Sequence, residues 1–306
     1  MKSNFPHIGL ARLCGWFGIT RQAYYQNNWN AVSTTLEEEL ILKQVKAVRK
    51  NHRRLGTRKL YEMLHPFMQE HCIKMGRDAL FDLLSANQLL IRKRKRRIQT
   101  TNSQHWLRKY PNLIKDFIAT APNQLWVSDI TYWKLKQTQA YISFITDAYS
   151  HKIVGYQVAK TLEAVESIEA LQIALSSIQQ TSCSSLIHHS DRGIQYCSHD
   201  YVRLLKGHNI QISMTENGDP LENAIAERLN GIIKEEYLDM YDVNTIEEAK
   251  TILKNAVTLY NDERPHMSIG NLTPTQVHHS TNTIKTEKLW KNYYQRKSTF
   301  VNLSQD

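Results

Sequence analysis

Two rhythms of apolar positions divide the chain. Up to about residue 98 hydrophobic side chains recur every three or four residues, and from Gln124 they alternate or run together in short blocks. Leu10 to Tyr25 (LARLCGWFGITRQAYY) gives the end of one helix, a turn at Gly18 and a second helix started at Thr20. That outline suits a helix-turn-helix fragment and equally an ordinary helical hairpin. Thr35-Leu36-Glu37-Glu38 has the form of a capping box, with Glu37, Glu38 and Glu39 in the first turn where the helix dipole favours them. The helix it predicts buries Leu36, Leu40, Ile41, Val45 and Val48, and its other face is basic at Lys46, Arg49, Lys50, Arg53 and Arg54. Gly56 ends it, Thr57 is expected to cap Arg58 to Leu64, and a third helix runs from about Arg77 to Leu90 over Leu80, Phe81, Leu83 and Leu84. Three short helices with basic faces suit a major groove, although a charged helix face is usually only a solvated one.

Leu125 to Lys136, Tyr141 to Thr146 and Lys152 to Val158 read as three strands joined by short turns. A helix over Leu162 to Ile178 follows, with Val165, Ile168, Leu171, Ile173 and Leu175 as its apolar positions. Then come a strand at Ser185 to His189, a helix near His199 to Lys206, a strand at Ile210 to Met214 and a helix from near Leu221. Thr245 to Tyr260 is a further helix, capped by Thr245 and halted by Arg264-Pro265. The expected organisation is a helix-turn-helix-like segment (1–30), a helical domain with a basic run (34–98) and a connector (99–121). A mixed α/β core (122–280) and a basic, aromatic tail (281–306) complete it.

The chain has 306 residues and a formal net charge of +10, with a pI near 9.3. That balance favours a polyanionic partner, most simply nucleic acid, but is equally that of a basic enzyme. Arg92-Lys93-Arg94-Lys95-Arg96-Arg97 is more specific, because six adjacent cations repel one another and phosphates relieve them. A solvated linker would have the same sequence. Cys14, Cys72, Cys183 and Cys197 form no C-x-x-C pair and read as reduced thiols. No stretch of about 18 apolar residues or signal-peptide core is present, so an intracellular, cytoplasmic chain is expected. There is no phosphate-binding loop of the Walker type, which argues against ATP use by this chain.

Three carboxylates stand out by position. Asp129 lies inside the β-rich, aromatic run Gln124 to Trp133, where a charge is costly unless paired or bound to a cation. Asp191 ends the short apolar strand that leads through His188-His189-Ser190, and Glu227 follows after 35 intervening residues, 192 to 226, on a helix. Such acids, brought together, suit hard divalent metals. The words around them, Trp126-Val127-Ser128-Asp129-Ile130-Thr131, His189-Ser190-Asp191-Arg192-Gly193-Ile194-Gln195-Tyr196, Glu222-Asn223-Ala224-Ile225-Ala226-Glu227 with Lys234, and Tyr260-Asn261-Asp262-Glu263-Arg264-Pro265-His266, resemble the OrfB transposases of the insertion sequence 3 family. Four words in order with the right gaps carry that resemblance across Pro122 to Thr273, and the helical arm extends it over nearly the whole chain.

The resemblance implies a ribonuclease-H-like fold, a mixed five-stranded sheet flanked by helices, preceded by an all-α helix-turn-helix-type arm. It implies a DDE triad of Asp129, Asp191 and Glu227 holding Mg²⁺ or Mn²⁺, two ions, for cleavage at element ends and strand transfer into target DNA. The implied partners are terminal inverted repeats and target DNA, a DNA-assembled homo-multimer, and an upstream OrfA-type helix-turn-helix protein or a frameshift fusion with it. Met1 just before the first motif agrees with a separate reading frame. The expected setting is the bacterial cytoplasm, at the nucleoid. Expected DNA contacts are Arg92, Lys93, Arg94, Lys95, Arg96, Arg97, Gln195, Tyr196, Asn230, Lys234 and Arg264. Of these, Gln195 and Tyr196 could simply shape their loop, and Arg264 and His266 could cap and pack locally. Glu227 and Lys234 lie about 10 Å apart along one helix face, with Asn230 between them. The chain departs from the family pattern at Glu222, where Asp is usual, and at Thr215-Glu216-Asn217-Gly218, where a more basic loop is usual. Neither touches the triad. His188 and His189 are expected to pack or hydrogen-bond, and Asp147 to cap the turn before Ser150. The rival readings are a ribonuclease-H-like nuclease that never joins and a catalytically inactive DNA-binding relic or repressor.

Overall fold

The computed structural model describes residues 7–91, 106–115, 117–178, 185–216 and 223–280. The basic run Arg92 to Arg97, Cys183, Asn217, Gly218, Asp219, Glu222 and the tail from 281 lie outside the described residues. The chain forms two compact units, residues 1–93 and 94–306.

In the first unit α1 (Leu10–Trp16) ends at a turn in which Gly18 has φ +66°, a conformation that side chains with a Cβ disfavour. The next helix starts where expected, with the Thr20 hydroxyl accepting the Ala23 N–H at 3.0 Å. It does not stop to begin again at Thr35. α2 runs unbroken from Arg21 to Asn51, so the capping-box signal at Thr35 is overridden. Leu36 and Leu40 are exposed by 57% and 45%, whereas Ile41 and Val45 are the α2 residues that enter the unit's buried core among the described ones. α3 (Thr57–Glu70) takes Gly56, not Thr57, as its N-cap, and α4 (Arg77–Ala86) is shorter than the apolar pattern predicts. Leu55, Leu60, Leu64, Leu80 and Leu84 complete the core. Arg49, placed on the solvated face by periodicity, instead donates to the Leu89 carbonyl at 2.6 Å and ties α2 to the residues after α4.

The second unit is built on a five-stranded sheet in the order β3-β2-β1-β4-β5. β1 (Leu125–Lys134) pairs antiparallel with β2 (Gln139–Asp147), which pairs antiparallel with β3 (Ile153–Ala159). On its other side β1 runs parallel to β4 (Ile187–Ser190), which is parallel to β5 (Gln211–Met214). α5 (Ala164–Ser176) makes the crossover from β3, and α6 (His199–Gly207) links β4 to β5. The expected mixed sheet is present. Gly155 is needed where β3 meets α5, since a Cβ there would lie 2.2 Å from the Ala170 carbonyl oxygen. Val165 and Ile173, expected to be buried on α5, are exposed, and Ala170, Leu171 and Ala174 face the sheet instead.

α7 (Ala224–Ile233) lies against β1 and passes without a break into a π-helical turn, Lys234–Leu238. α8 (Ile246–Asp262), capped by Thr245 on the Glu248 N–H, packs on β3, and α9 (Pro274–His278) closes the described chain. One core layer joins Trp133, Ile142 and Phe144 of the sheet to Leu229, Ile233, Tyr237, Leu253 and Tyr260. The other joins Trp126 and Ile145 to α5 and α6. Each large side chain so buried contributes about 1.5–3 kcal/mol, which fixes α7 to β1 independently of any polar contact.

Candidate active site

Strand register brings the first two carboxylates together. β1 and β4 are parallel, and their last paired residues are Ser128 and Ser190. Asp129 and Asp191 each follow the paired serine by one residue, so Asp129, midway along β1, lies beside Asp191, just past the carboxyl end of β4. α7, laid on β1, delivers the half-buried Glu227 one turn before Asn230.

Each aspartate is oriented by a neutral donor. The Ile130 N–H donates to Asp129 Oδ1 at 2.9 Å, and the Asn230 amide donates to Asp129 Oδ2 at 2.7 Å. The Gly193 N–H donates to Asp191 Oδ1 at 2.9 Å. A Cβ on Gly193 would lie 2.9 Å from that same oxygen, so any larger residue there would displace the Asp191 carboxylate. Burial, then the negative charge of Asp191, push the Asp129 carboxyl up to about 8; Glu227 adds to this, and the Ile130 and Asn230 bonds oppose it. The acids therefore feel one another.

Among the described residues no three His, Cys, Asp or Glu side chains lie close enough to hold one ion. The donor chemistry nonetheless fits a divalent cation: hard carboxylate oxygens only, two of them from adjoining strands, with charge repulsion that a cation would relieve.

Other expected contacts divide by burial. Asn230 is 6% exposed and spends its amide on Asp129, so it orients a carboxylate from a buried position. Gln195 donates to the Leu162 carbonyl at 2.9 Å and Tyr196 is 2% exposed, its ring packed at 5.4 Å against Tyr201; both shape the loop, and neither reaches a DNA surface. Arg264, also expected on DNA, is 1% exposed and holds Glu236 in two hydrogen bonds, Nε to Oε2 at 2.8 Å and Nη2 to Oε1 at 2.7 Å. Its Nη1 lies 2.8 Å from His266 Nε2. The Arg-Pro-His word is thus a brace for the π turn. Lys234 is half-buried, with Nζ 3.4 Å from Thr131 Oγ1 and 4.2 Å from the Tyr132 ring centroid, on the same strand as Asp129. It stays at the site's edge.

Behind the strands lies a network that the sequence did not assign to the site. His188 Nε2 sits 2.7 Å from Ser128 Oγ and 2.9 Å from the Tyr201 hydroxyl, and His189 Nδ1 sits 2.8 Å from Ser213 Oγ. Burial lowers the His188 ring to about 3, so it stays neutral. Both histidines pack and hydrogen-bond, in keeping with their flanking apolar residues. Asn223 bonds the Ser128 carbonyl at 3.0 Å and pins the start of α7 beside Asp129. Asp147 caps its turn, taking the Ser150 N–H and hydroxyl at 2.7 Å each. Of the connector's aromatics, Tyr110 and Phe117 pack on the core and Trp106 is 84% exposed.

A mixed sheet of this order, with neighbouring acids on its two central parallel strands and a third on the covering helix, defines the integrase-core class. Residues 119–220 and 208–274 match the integrase core domain in two family descriptions. The chain is 34% identical over 268 residues to an insertion element IS600 uncharacterized 31 kDa protein of Shigella sonnei, covering 86% of this chain and 96% of that one. It is 28% identical over 275 residues to the transposase for insertion sequence element IS629 of the same species, 88% of this chain and 90% of that one. Over 174 residues it is 33% identical to transposase InsF for insertion sequence IS3A of Escherichia coli K12, 56% of this chain and 60% of the relative. Among solved structures the HTLV-2 integrase catalytic core domain in complex with magnesium is similar at 22% identity and a TM-score of 0.41, covering 52% of this chain and 98% of that one. The chain belongs to the insertion sequence 3 family of transposases and carries their integrase core.

Proposed function

We propose that the chain is a metal-dependent DDE transposase that cleaves DNA at the ends of its element and joins the freed ends to target DNA. The observation that carries this reading is the register of β1 and β4, which sets Asp129 and Asp191 side by side under the helix of Glu227. Asp129, Asp191 and Glu227 would hold Mg²⁺ or Mn²⁺, two ions. Such ions supply the Lewis acidity that activates an oxygen nucleophile and offsets charge on the scissile phosphate. Asn230 and the Ile130 N–H keep Asp129 in one rotamer, and Gly193 does the same for Asp191. Lys234, held beside Thr131 and Tyr132, offers its ammonium to the DNA backbone next to the reacting phosphate. The run Arg92 to Arg97 would add phosphate contacts. Joining two ends needs more than one such site, so a DNA-assembled homo-multimer is part of the proposal, as is an upstream OrfA-type helix-turn-helix protein or a fusion with it. No helix among the described residues is long and apolar enough to cross a membrane.

The test is to incubate the purified chain with labelled duplexes from the flanks of its own gene and Mg²⁺, beside Glu227→Gln and Asp191→Asn. Metal-dependent cleavage and joining, lost in both variants while DNA binding persists, is the expected result. Cleavage without joining points to a nuclease. Binding without either reaction, unrelieved by the upstream partner, points to an inactive relic, and joining retained by Asp191→Asn removes the triad.

A further inference from the structure

The connector ahead of β1 is strapped along the β5 edge of the sheet. The Met214 N–H donates to the Pro111 carbonyl at 3.3 Å, the Leu113 N–H to Ser213 Oγ at 2.9 Å, and the Asn112 N–H to Glu216 at 3.2 Å. Lys115 pairs with Glu216 at 2.6 Å. Upstream of these ties, Leu107 and Tyr110 pack on the core layer that includes α6. Their burial fixes what the neighbouring cations can do.

The Arg108 guanidinium lies 5.3 Å from the centroid of the Tyr110 ring, and Lys206, at the end of α6, places its ammonium 6.0 Å from the same centroid. Lys109 is exposed between them in sequence and bears electrostatically on Cys197, as do Arg192 and the catalytic Asp191. Among the described residues Arg108, Lys109 and Lys206 have no acidic partner within ion-pair distance, whereas Lys115 and Arg203 nearby each have one. Two cations on one ring repel each other, and a polyanion that bridges them removes the repulsion.

We propose that Arg108, Lys109 and Lys206 form a DNA-backbone contact surface on the β5 side of the core, leading past Arg192 to Asp191. The occupant is duplex DNA, bound through its phosphates without reading sequence. This rests on DNA being the substrate, as proposed above. It gives the strap a task beyond covering the β5 edge: its described residues add cations to the flank of the proposed active site opposite β3 and α8.

The experiment measures binding of the full chain to a duplex of arbitrary sequence by fluorescence anisotropy over a range of KCl concentrations. The variant Arg108→Ala/Lys206→Ala is compared with Lys250→Ala/Lys254→Ala, which removes the same charge from exposed positions on α8, over β3. The slope of log affinity against log salt should fall by about 1.8 in the first variant, roughly 0.9 for each phosphate no longer neutralised, and change little in the second. Equal slopes in the two variants, each melting as the wild type does, overturn the surface and leave the proposed function standing. A wild-type chain that binds no duplex at any salt overturns both.

Discussion

Glu236→Gln removes the charge that answers a buried guanidinium. Arg264 is 1% exposed, and its side chain is spent on Glu236 at 2.7 and 2.8 Å and on His266 at 2.8 Å. Burial alone would lower its affinity for the proton, yet Glu236 outweighs that and raises it, so the pair is charged in the folded state. Glutamine keeps the shape and one acceptor but leaves the cation uncompensated. Breaking a buried pair in this way costs about 3–5 kcal/mol. With a urea m value of about 2 kcal/mol per molar, the midpoint should fall by roughly 2 M. Trp126 and Trp133, 0% and 2% exposed, make tryptophan fluorescence a reporter for this unit. The double variant Glu236→Leu/Arg264→Leu should recover most of the loss, because two apolar groups leave no charge stranded. A shift below about 0.5 kcal/mol in the single variant would mean that the guanidinium is as well solvated as a surface pair and would refute the brace.

Asp129 carries a raised carboxyl, so without divalent ions stability should fall as pH rises from the unfolded carboxylate range through about 8, by up to a few kcal/mol, as the folded chain is forced to give up a proton that the unfolded chain has already lost. Thermal melts should show that fall, and either Mg²⁺ or Asp129→Asn should flatten it; a flat wild-type profile in chelator would contradict it. Gly193→Ala puts a Cβ 2.9 Å from Asp191 Oδ1 and should slow strand joining on the order of 100-fold with little change in melting temperature, as expected of misplaced catalytic groups. Gly155→Ala, with its Cβ 2.2 Å from the Ala170 oxygen, should cost about 1–3 kcal/mol or more in urea melts by prising α5 from β3.

The sheet was legible, and the three proposed acids could be singled out, because each leaves a mark within one segment. Asp129 interrupts an apolar, aromatic strand, Asp191 ends one, and the strand-helix order around them admits few topologies. Roles that depend on two distant segments left no such mark. Asn230 could be placed on the face of Glu227, but its bond to Asp129 spans 101 residues. Arg264 looked like a DNA cation until packing supplied Glu236, 28 residues away. Thr35 shows the reverse failure. Its local capping signal was sound in form, yet α2 continues through it from Arg21, and tertiary packing further along the helix outweighs a local propensity. Lys206 and Arg108 share a ring only because the strap folds onto α6.

The hydrogen-bond partners of the acids also explain why this pocket suits a cation. Asp129 is held by an amide and a backbone N–H, and Asp191 by a backbone N–H. These donors fix rotamers without cancelling charge. An arginine in the place of Asn230 would orient Asp129 equally well, but would lower its carboxyl and neutralise the site from within. The arginine that is buried near the end of α7, Arg264, is instead matched to its own carboxylate in Glu236, two residues beyond Lys234. Lys234 is drawn to Thr131 and the Tyr132 ring, on the strand of Asp129. Burial first, and then repulsion from Asp191 and Glu227, keep the Asp129 carboxyl raised in spite of these donors. On the proposed function, divalent metal would relieve that repulsion, and a phosphate backbone bound with it would meet Lys234 at the rim.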